Sequence, residues 1–541
     1  MYPSDYLPTR RSLLVAVLGV VLVALAFPPL GIAPLAPLGM ALWAWAGTSL
    51  RHPKQVASLG WLAGFLYTLL SLWWLFWEWG IIPLLVLCVS YGFTYALWLI
   101  LIRNLYREGP GWFIFGGAAV WTTLEMGKVY GLWTIPLLLI AQTQTRVPAL
   151  VQIADLTGQW GISFMVVAVS LWLAWLMGGR VRVRQREFVR ATAWLALGVS
   201  FWLGYGLYRL SQAGQAGPSG ERVRVALVQE LSGELLQWTW EYIREVKDRY
   251  INLVKAELSP EEGVDLILFP EVSIPLTLPY HSPKLSIFPD LFELADNYQA
   301  GVVFGTGFSS QPIGSELSAP KEAKAKGVKF YNGVQSIGPG RTTPGQYLKL
   351  RPVPFGETMP MGGLLEFIEF PWGSEGYDAG RSLESLPTAK FGLNLGPNIC
   401  YESLYPYISR GQVQDGAAIL VNFSNYTWIK NHLVSLVNAQ NDVLRAVETR
   451  RYYLRVSTTY YSQVVDPYGR ILFRNRDPRA SFVKVAEVEP RDELTLYVRL
   501  GDWFGYLNLA AMIWLIFALV LRSRDRRGEG WPLFDLRRLL E

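Results

Sequence analysis

The chain has 541 residues, 51% of them hydrophobic and only 17% charged, with a mean hydropathy of +0.22. That balance excludes a wholly soluble protein of this length and points to membrane spans joined to at least one further domain. A net charge of +6 gives no argument for nucleic acid, two cysteines exclude a disulfide framework, and three histidines leave no zinc-type cluster. The 23 Trp and 27 Tyr suit a chain that crosses water–lipid interfaces, where amphipathic rings settle.

Residues 1–210 carry apolar runs near 12–26, 32–49, 57–78, 81–102, 112–127, 160–178 and 189–209. Several approach the roughly 20 residues needed to cross hydrocarbon, and the others need tilt or protein cover. Arg10-Arg11 before the first run resembles a signal peptide. Phe27-Pro28-Pro29 follows in place of a small-residue cleavage site, so the run reads as a retained helix. Arg51, His52 and Lys54 follow the second run, Arg103 and Arg107 the fourth, and Arg180, Arg182, Arg184, Arg186 and Arg190 the sixth. The connections at 27–31 and 79–80 carry no Lys or Arg. This positive-inside pattern places the N-terminus in the cytoplasm and residue 211 outside. A last apolar run, Trp503 to Leu521, within a membrane helix expected at 500–523, returns the chain. Arg522, Arg524, Arg526 and Arg527 then lie on the inner side, and the tail, 524–541, is cytoplasmic.

The connection 129–159 is apolar from Ile135 to Ala141 but contains Pro136, and is expected to lie in the interface or dip into lipid. Glu78, Glu125 and Lys128, near the outer ends of runs, are expected to snorkel to the interface. SQAGQAGPSG, 211–220, is a linker by composition. Beyond it, short β-rich runs (Val223–Val228, Leu266–Phe269, Val302–Phe308, Ala417–Phe423, Leu454–Thr459) alternate with helical stretches near 238–257, 288–298 and 431–448. This alternation predicts a layered α/β domain over 221–495, outside the membrane. Lys321 to Lys329 reads as a solvated insertion.

Three stretches of this domain end apolar strands with reactive groups. Leu268-Phe269-Pro270-Glu271 offers a carboxylate. Tyr347-Leu348-Lys349, followed by Val353-Pro354-Phe355-Gly356-Glu357, offers an ammonium and a second carboxylate. Phe391 to Leu395 reads as a strand, and Asn398-Ile399-Cys400-Tyr401-Glu402 puts a thiol at its end. Singly, these are a common turn, a solvated lysine and a core cysteine. Together they form a set: the carboxylate takes the thiol proton, and the ammonium lowers the thiol pKa and stabilises a tetrahedral oxyanion. The N–H of Tyr401 is a second oxyanion donor. The other cysteine, Cys88, lies in a membrane-like run.

The order carboxylate, lysine, cysteine resembles the Glu–Lys–Cys arrangement of the nitrilase (carbon–nitrogen hydrolase) superfamily, which implies an αββα sandwich. With about seven spans before this domain and one after, about eight in all, nearly the whole chain resembles the apolipoprotein N-acyltransferase family. Phe27-Pro28-Pro29 with Pro34-Leu35-Ala36-Pro37 is similar to that family's first outer turn. Tyr347-x-Lys349 with Val353 to Glu357, and Ile399-Cys400-Tyr401-Glu402, resemble its signatures. The resemblance implies Glu271 as general base, Lys349 as oxyanion and thiolate partner, and Cys400 as nucleophile. It implies that Glu357 holds Lys349 and the base in place, that Tyr401 and Glu402 shape the pocket, and that Trp238 contacts substrate. The sequence departs from the family pattern at Ser424-Asn425-Tyr426-Thr427-Trp428-Ile429-Lys430, where the family has Ser-Asn-Asp-x-Trp-Phe-Gly. It departs again at Thr458-Thr459-Tyr460-Tyr461, where the family has Thr-Asn-x-Gly. These changes are expected to reshape the pocket wall or the lipid entrance.

The implied reaction is two-step transfer of a fatty acyl chain from a phospholipid donor, through a Cys400 thioester, to the α-amine of a diacylated apolipoprotein acceptor. Pro352 to Gly363, with Met359 and Met361 and with Leu364-Leu365 beyond, is a candidate apolar lid. No cofactor, metal or nucleotide site is expected. The implied setting is a multi-pass monomer in a bacterial inner membrane, with the catalytic domain on the periplasmic side. The competing readings are a membrane-tethered nitrilase-type amidase and a non-catalytic lipoprotein-binding protein. A Cys–His protease using His281 or His432 lacks any supporting motif.

Overall fold

The computed structural model describes residues 7–131, 135–179, 184–213, 222–231, 239–280, 289–311, 327–354, 356–358, 376–389 and 392–525. Trp238, His281, residues 355 and 359–363 of the candidate lid with Leu364-Leu365 beyond it, most of the linker, residues 321–326 of the charged insertion, and the tail beyond 525 lie outside the described residues. The chain divides into two compact units. One comprises Met1–Phe76, Gly80–Ser211 and Leu500–Glu541; the other comprises Trp77–Trp79 and Gln212–Arg499.

Helices occupy every expected run of the first unit: α1 (Arg10–Leu25), α2 (Leu35–Thr48), α3 (Pro53–Leu72), α4 (Ile81–Glu108), α5 (Gly117–Tyr130), α6 (Gln159–Met177), α7 (Gln185–Ser211) and a C-terminal helix (Trp503–Asp525). Among the described residues, four stretches are long and apolar enough to cross a bilayer: Pro53–Leu72, Ile81–Glu108, Gln159–Met177 and Trp503–Arg522. α1 and α2 meet through glycines. A Cβ on Gly19 would lie 2.5 Å from the carbonyl oxygen of Gly39, and one on Gly39 would lie 2.4 Å from that of Gly19. Small residues permit this approach where apolar burial gives helices no preference for each other over lipid. The C-terminal helix is tied at both ends. Asp502 accepts from Tyr130 Oη and Trp160 Nε1, both at 2.6 Å, and Arg522 pairs with Glu108 at 2.7 Å.

The snorkelling expectation fails for Glu125 and Lys128. Both are buried, 1% and 4% exposed. Glu125 Oε1 accepts from the N–H of Ile140 at 2.6 Å, and Lys128 Nζ donates to Tyr95 Oη at 2.9 Å and to the carbonyl of Leu138 at 3.2 Å. These charges satisfy the irregular connection around Pro136, whose residues Leu137 to Thr145 are buried in protein. Non-helical backbone removed from water needs such partners. Glu78 is likewise buried.

The second unit has two sheets. The first runs β13 (Phe482–Val488), β1 (Val223–Gln229), β2 (Leu266–Leu268), β4 (Gly301–Ser309), β5 (Phe330–Gly338), β6 (Thr342–Leu348), with β3 (Thr277–Pro279) also pairing with β4. The second runs β12 (Ile471–Arg474), β11 (Gln463–Val465), β10 (Tyr453–Ser457), β9 (Ile419–Ser424), β8 (Asn394–Ile399), β7 (Leu386–Pro387). β1–β2–β4 and β8–β9–β10 are parallel. Their strands are covered on both faces, hence their apolar runs. α8 (Trp240–Glu257) and α9 (Pro289–Tyr298) bury Ile243, Val246, Tyr250, Leu291 and Leu294 with Ile267, Phe269, Val302 and Phe304 of the first sheet. α10 (Pro406–Gln414) and α11 (Leu433–Thr449) cover the second. The outer faces of the two sheets therefore carry helices. Their inner faces meet, as in the hydrogen bond from Ser462 Oγ to Gln229 Oε1 at 2.7 Å. This nitrilase-like α/β fold agrees with the expected sandwich. One boundary differs: the strand before Cys400 is β8, Asn394–Ile399, and not Phe391 to Leu395.

β4 supports the turn after β2 at very close range. A Cβ on Gly305 would sit 2.5 Å from the nitrogen of Val272 and 2.6 Å from both Glu271 Cα and the Pro270 oxygen. All three are backbone atoms, so nothing can swing aside. Gly305→Ala is expected to cost about 1–3 kcal/mol, the typical penalty for overpacking. Chemical unfolding in detergent checks this; an unchanged midpoint would contradict it.

Candidate active site

Glu271, Lys349, Glu357 and Cys400 come from three different connections and are drawn into one buried cluster. Glu271 lies in the turn after β2, Lys349 just after β6, Glu357 in the loop beyond it, and Cys400 at the first position after β8. Lys349 Nζ sits between the carboxylates, 3.0 Å from Glu271 Oε1 and 2.8 Å from Glu357 Oε2. Asn332, on β5, bridges the same pair: its Nδ2 donates to Glu271 Oε1 at 2.6 Å and to Glu357 Oε1 at 2.9 Å. The second oxygen of Glu271 accepts from the N–H of Asn425 at 2.8 Å, and that of Glu357 from the N–H of Val353 at 2.7 Å. Exposure is 4% at Glu271, 1% at Lys349 and 3% at Cys400, so these charges interact with little water to screen them.

Cys400 has a left-handed backbone, φ +54°, and begins a short 3-10 turn, Cys400–Leu404. A non-glycine residue there costs about 1–3 kcal/mol and persists only where its surroundings hold it. Two anchors flank it. Asn422 Nδ2, from β9, donates to the Cys400 carbonyl at 2.9 Å. Glu402 accepts four bonds: the N–H groups of Ile399 (2.7 Å), Leu350 (2.6 Å) and Arg351 (3.0 Å), and Tyr347 Oη (3.1 Å). Glu402 thus clips the Lys349 segment to the Cys400 turn. Val272, directly after Glu271, also has positive φ, +54°. Tyr401 and Tyr405 share a hydroxyl–hydroxyl contact beside this turn.

Burial pushes the Glu271 carboxyl up, against the pull of the Lys349 ammonium. Burial alone would lower Lys349, but the carboxylates of Glu271 and Glu357 outweigh it and hold the ammonium well above the usual lysine range. Burial and then the Glu271 carboxylate push the Cys400 thiol up, and Lys349 offsets only part of this. The expectation that Lys349 depresses the thiol is therefore overruled by desolvation and by the carboxylates. Burial raises Glu402 to about 7 despite its backbone donors. A neutral thiol beside a raised carboxylate is an arrangement for proton transfer during attack, not for a preformed thiolate.

Two family patterns match: the apolipoprotein N-acyltransferase N-terminal domain over residues 19–173, and carbon-nitrogen hydrolase over 224–492. Proteins called apolipoprotein N-acyltransferase align over most of the chain. One from Geobacter metallireducens is 27% identical over 96% of this chain and 97% of its own. One from Azotobacter vinelandii is 28% identical over 94% and 95%. The chain belongs to the apolipoprotein N-acyltransferase family. Among solved structures, a nitrilase-superfamily protein of Saccharomyces cerevisiae is 19% identical over 52% of this chain and 94% of its own, with a TM-score of 0.35. A Nesterenkonia amidase is 13% identical over 54% and 98%, with a TM-score of 0.36.

In this member of the apolipoprotein N-acyltransferase family, Tyr426 is buried, and its hydroxyl accepts from Arg455 Nη1 at 2.8 Å and Asn438 Nδ2 at 3.1 Å. The departure at 426 therefore faces a buried ionic group. Tyr460 is half-buried, next to the rings of His432 and Tyr461. Asn332, Asn422 and Arg455 escaped the sequence reading. Their signal is a polar residue inside an otherwise apolar strand.

Lys349→Met removes the ammonium from between two carboxylates, and breaking a buried pair costs about 3–5 kcal/mol. Adding Glu357→Gln is expected to restore part of that loss, because one uncompensated charge goes with it. Unfolding of the two single variants and the double variant in detergent tests this; additive losses would contradict it.

Proposed function

We propose that this protein is an apolipoprotein N-acyltransferase working by ping-pong chemistry through a Cys400 thioester. Cys400 Sγ attacks the ester carbonyl of a phospholipid as its proton passes to Glu271. The S–C bond forms, the ester C–O bond breaks, and Glu271 returns the proton to the departing lysophospholipid oxygen. The α-amine of a diacylglyceryl-cysteine at an apolipoprotein N-terminus then attacks the thioester. The N–C bond forms, the C–S bond breaks, and Glu271 carries the amine proton to sulfur. Lys349 and the N–H of Tyr401 stabilise the oxyanion of both tetrahedral intermediates. Glu357 holds Lys349 and, through Asn332, the base. Glu402 and Tyr401 fix the turn and the pocket, and Trp238 contacts substrate.

The observation that carries this reading is the buried Lys349 ammonium shared by Glu271 and Glu357, with their charges acting on Cys400. Dry surroundings favour an amine acceptor over water. The alternation of Lys and Arg between runs supports eight spans in a bacterial inner membrane, with the 221–495 domain on the periplasmic side. The enzyme acts as a monomer, since one chain supplies every group named.

Mass spectrometry of protein purified in native lipid is expected to find one fatty acyl group on Cys400. A diacylated lipopeptide should discharge it into a triacylated product, Cys400→Ala should lack the adduct, and Glu271→Gln should form it about 10²–10⁴-fold more slowly. Release of free fatty acid in place of the amide would favour the amidase reading, and full complementation by Cys400→Ala would exclude an enzyme.

A further inference from the structure

Behind Cys400, the second sheet buries a cation that the acyl-transfer steps leave without a role. Arg455, on β10, has no exposed surface, and all five of its N–H bonds are used. Nε donates to Asp442 Oδ2 at 2.7 Å. Nη2 donates to Asp442 Oδ1 at 2.6 Å and to Ser403 Oγ at 3.2 Å. Nη1 donates to Ser424 Oγ at 2.7 Å and to Tyr426 Oη at 2.8 Å. Asp442, on α11, also accepts from Gln463 Nε2 at 2.6 Å, so the counterion is held as firmly as the cation.

Strand register explains the reach. Arg455 pairs with Asn422, and Ser457 with Ser424, across parallel β10 and β9. These four share one face, while Leu454, Val456, Val421 and Phe423 take the other. Two paths lead from the guanidinium to the Cys400 turn. One ends on Ser403, within the same 3-10 turn. The other runs through Ser424 Oγ, which donates to Asn422 Oδ1, and then from Asn422 Nδ2 to the carbonyl of Cys400. Burying an ion pair costs several kcal/mol that an apolar pair would not. The left-handed Cys400 needs such an external restraint.

We propose that Arg455 is a positioning residue for the nucleophile: neutralised by Asp442, its fork holds the strained Cys400 turn through Ser403 and through Ser424–Asn422, and so aims the sulfur. This rests on Cys400 carrying the acyl group. Tyr426 closes the fork with a neutral oxygen, the second carboxylate being needless once Asp442 is present.

The test is single-turnover acylation of Cys400 from a phospholipid in mixed micelles. Arg455→Lys and Asn422→Ala are each expected to slow thioester formation about 10–100-fold with donor KM within about twofold, the signature of an interaction that matters in the transition state. The double variant should be no slower than the slower single variant, because losing the guanidinium fork already releases the Ser424–Asn422 path on which Asn422 acts. Multiplying losses, a rise in KM alone, or wild-type acylation by folded Arg455→Lys would overturn the proposal. If Arg455→Lys fails to fold, Ser424→Ala replaces it: this keeps the ion pair and breaks only the link to Asn422, with the same non-additivity expected. No acyl adduct in the wild type would sink the thioester reading itself, whereas an adduct with multiplying losses sinks only the role of Arg455.

Discussion

A single ammonium held between two carboxylates, out of water, governs this site. Lys349 is almost wholly buried, yet its charge is secure because Glu271 and Glu357 both lie within 3.0 Å. In a medium of low effective dielectric this attraction is several times what it is in water. The arrangement leaves one carboxylate more than the ammonium can balance. That excess, with burial, makes a thiolate at Cys400 costly and keeps the sulfur protonated. Burial, with the Glu357 carboxylate adding to it and Lys349 opposing it, also raises the affinity of Glu271 for a proton. In the proposed mechanism, the sulfur attacks only when a carbonyl is in place to take the electron pair as the proton leaves.

The fold serves that balance by closing connections tightly. Glu271 and Cys400 both follow parallel strands, where loops gather at one end of a sheet, and each is part of a turn containing a non-glycine residue at positive φ. Strain at Val272 and Cys400 persists because neighbours determine the backbone. Gly305 lets β4 approach the Glu271 turn, while Glu402 and Asn422 grip the Cys400 turn from two sides. Glu402 also reaches the Lys349 segment, so the two sheets share one clamp at the place where their reactive groups meet.

Much of this was legible in the sequence. Apolar runs gave the helices of the first unit, and the alternation of strand and helix gave the layered domain. Pro270-Glu271, Lys349 and Cys400 stood out because each interrupts apolar sequence at the end of a strand. Asn332, Asn422 and Arg455 were harder, since a polar residue within a strand reads as an exposed position until both faces are known to be covered. The boundary of β8 moved because Asn394 and Asn398 lie in the strand despite low β propensity, a tertiary override of a weak local preference. Glu125 and Lys128 were misjudged for a related reason. Their partners are backbone groups of the irregular connection that follows them and the Tyr95 hydroxyl of another helix, which no periodicity announces.

The most direct measurement is the ultraviolet absorbance of thiolate during a pH titration, taken as the difference between the wild type and Cys400→Ser in detergent. With burial and Glu271 both raising the thiol pKa, the resting enzyme should show no Cys400 thiolate at neutral pH, and the signal should grow only in strongly alkaline solution, above the range of a free cysteine. A full thiolate signal at neutral pH, persisting in Glu271→Gln, would mean that Lys349 dominates and that the proton has left before substrate arrives, contradicting the account.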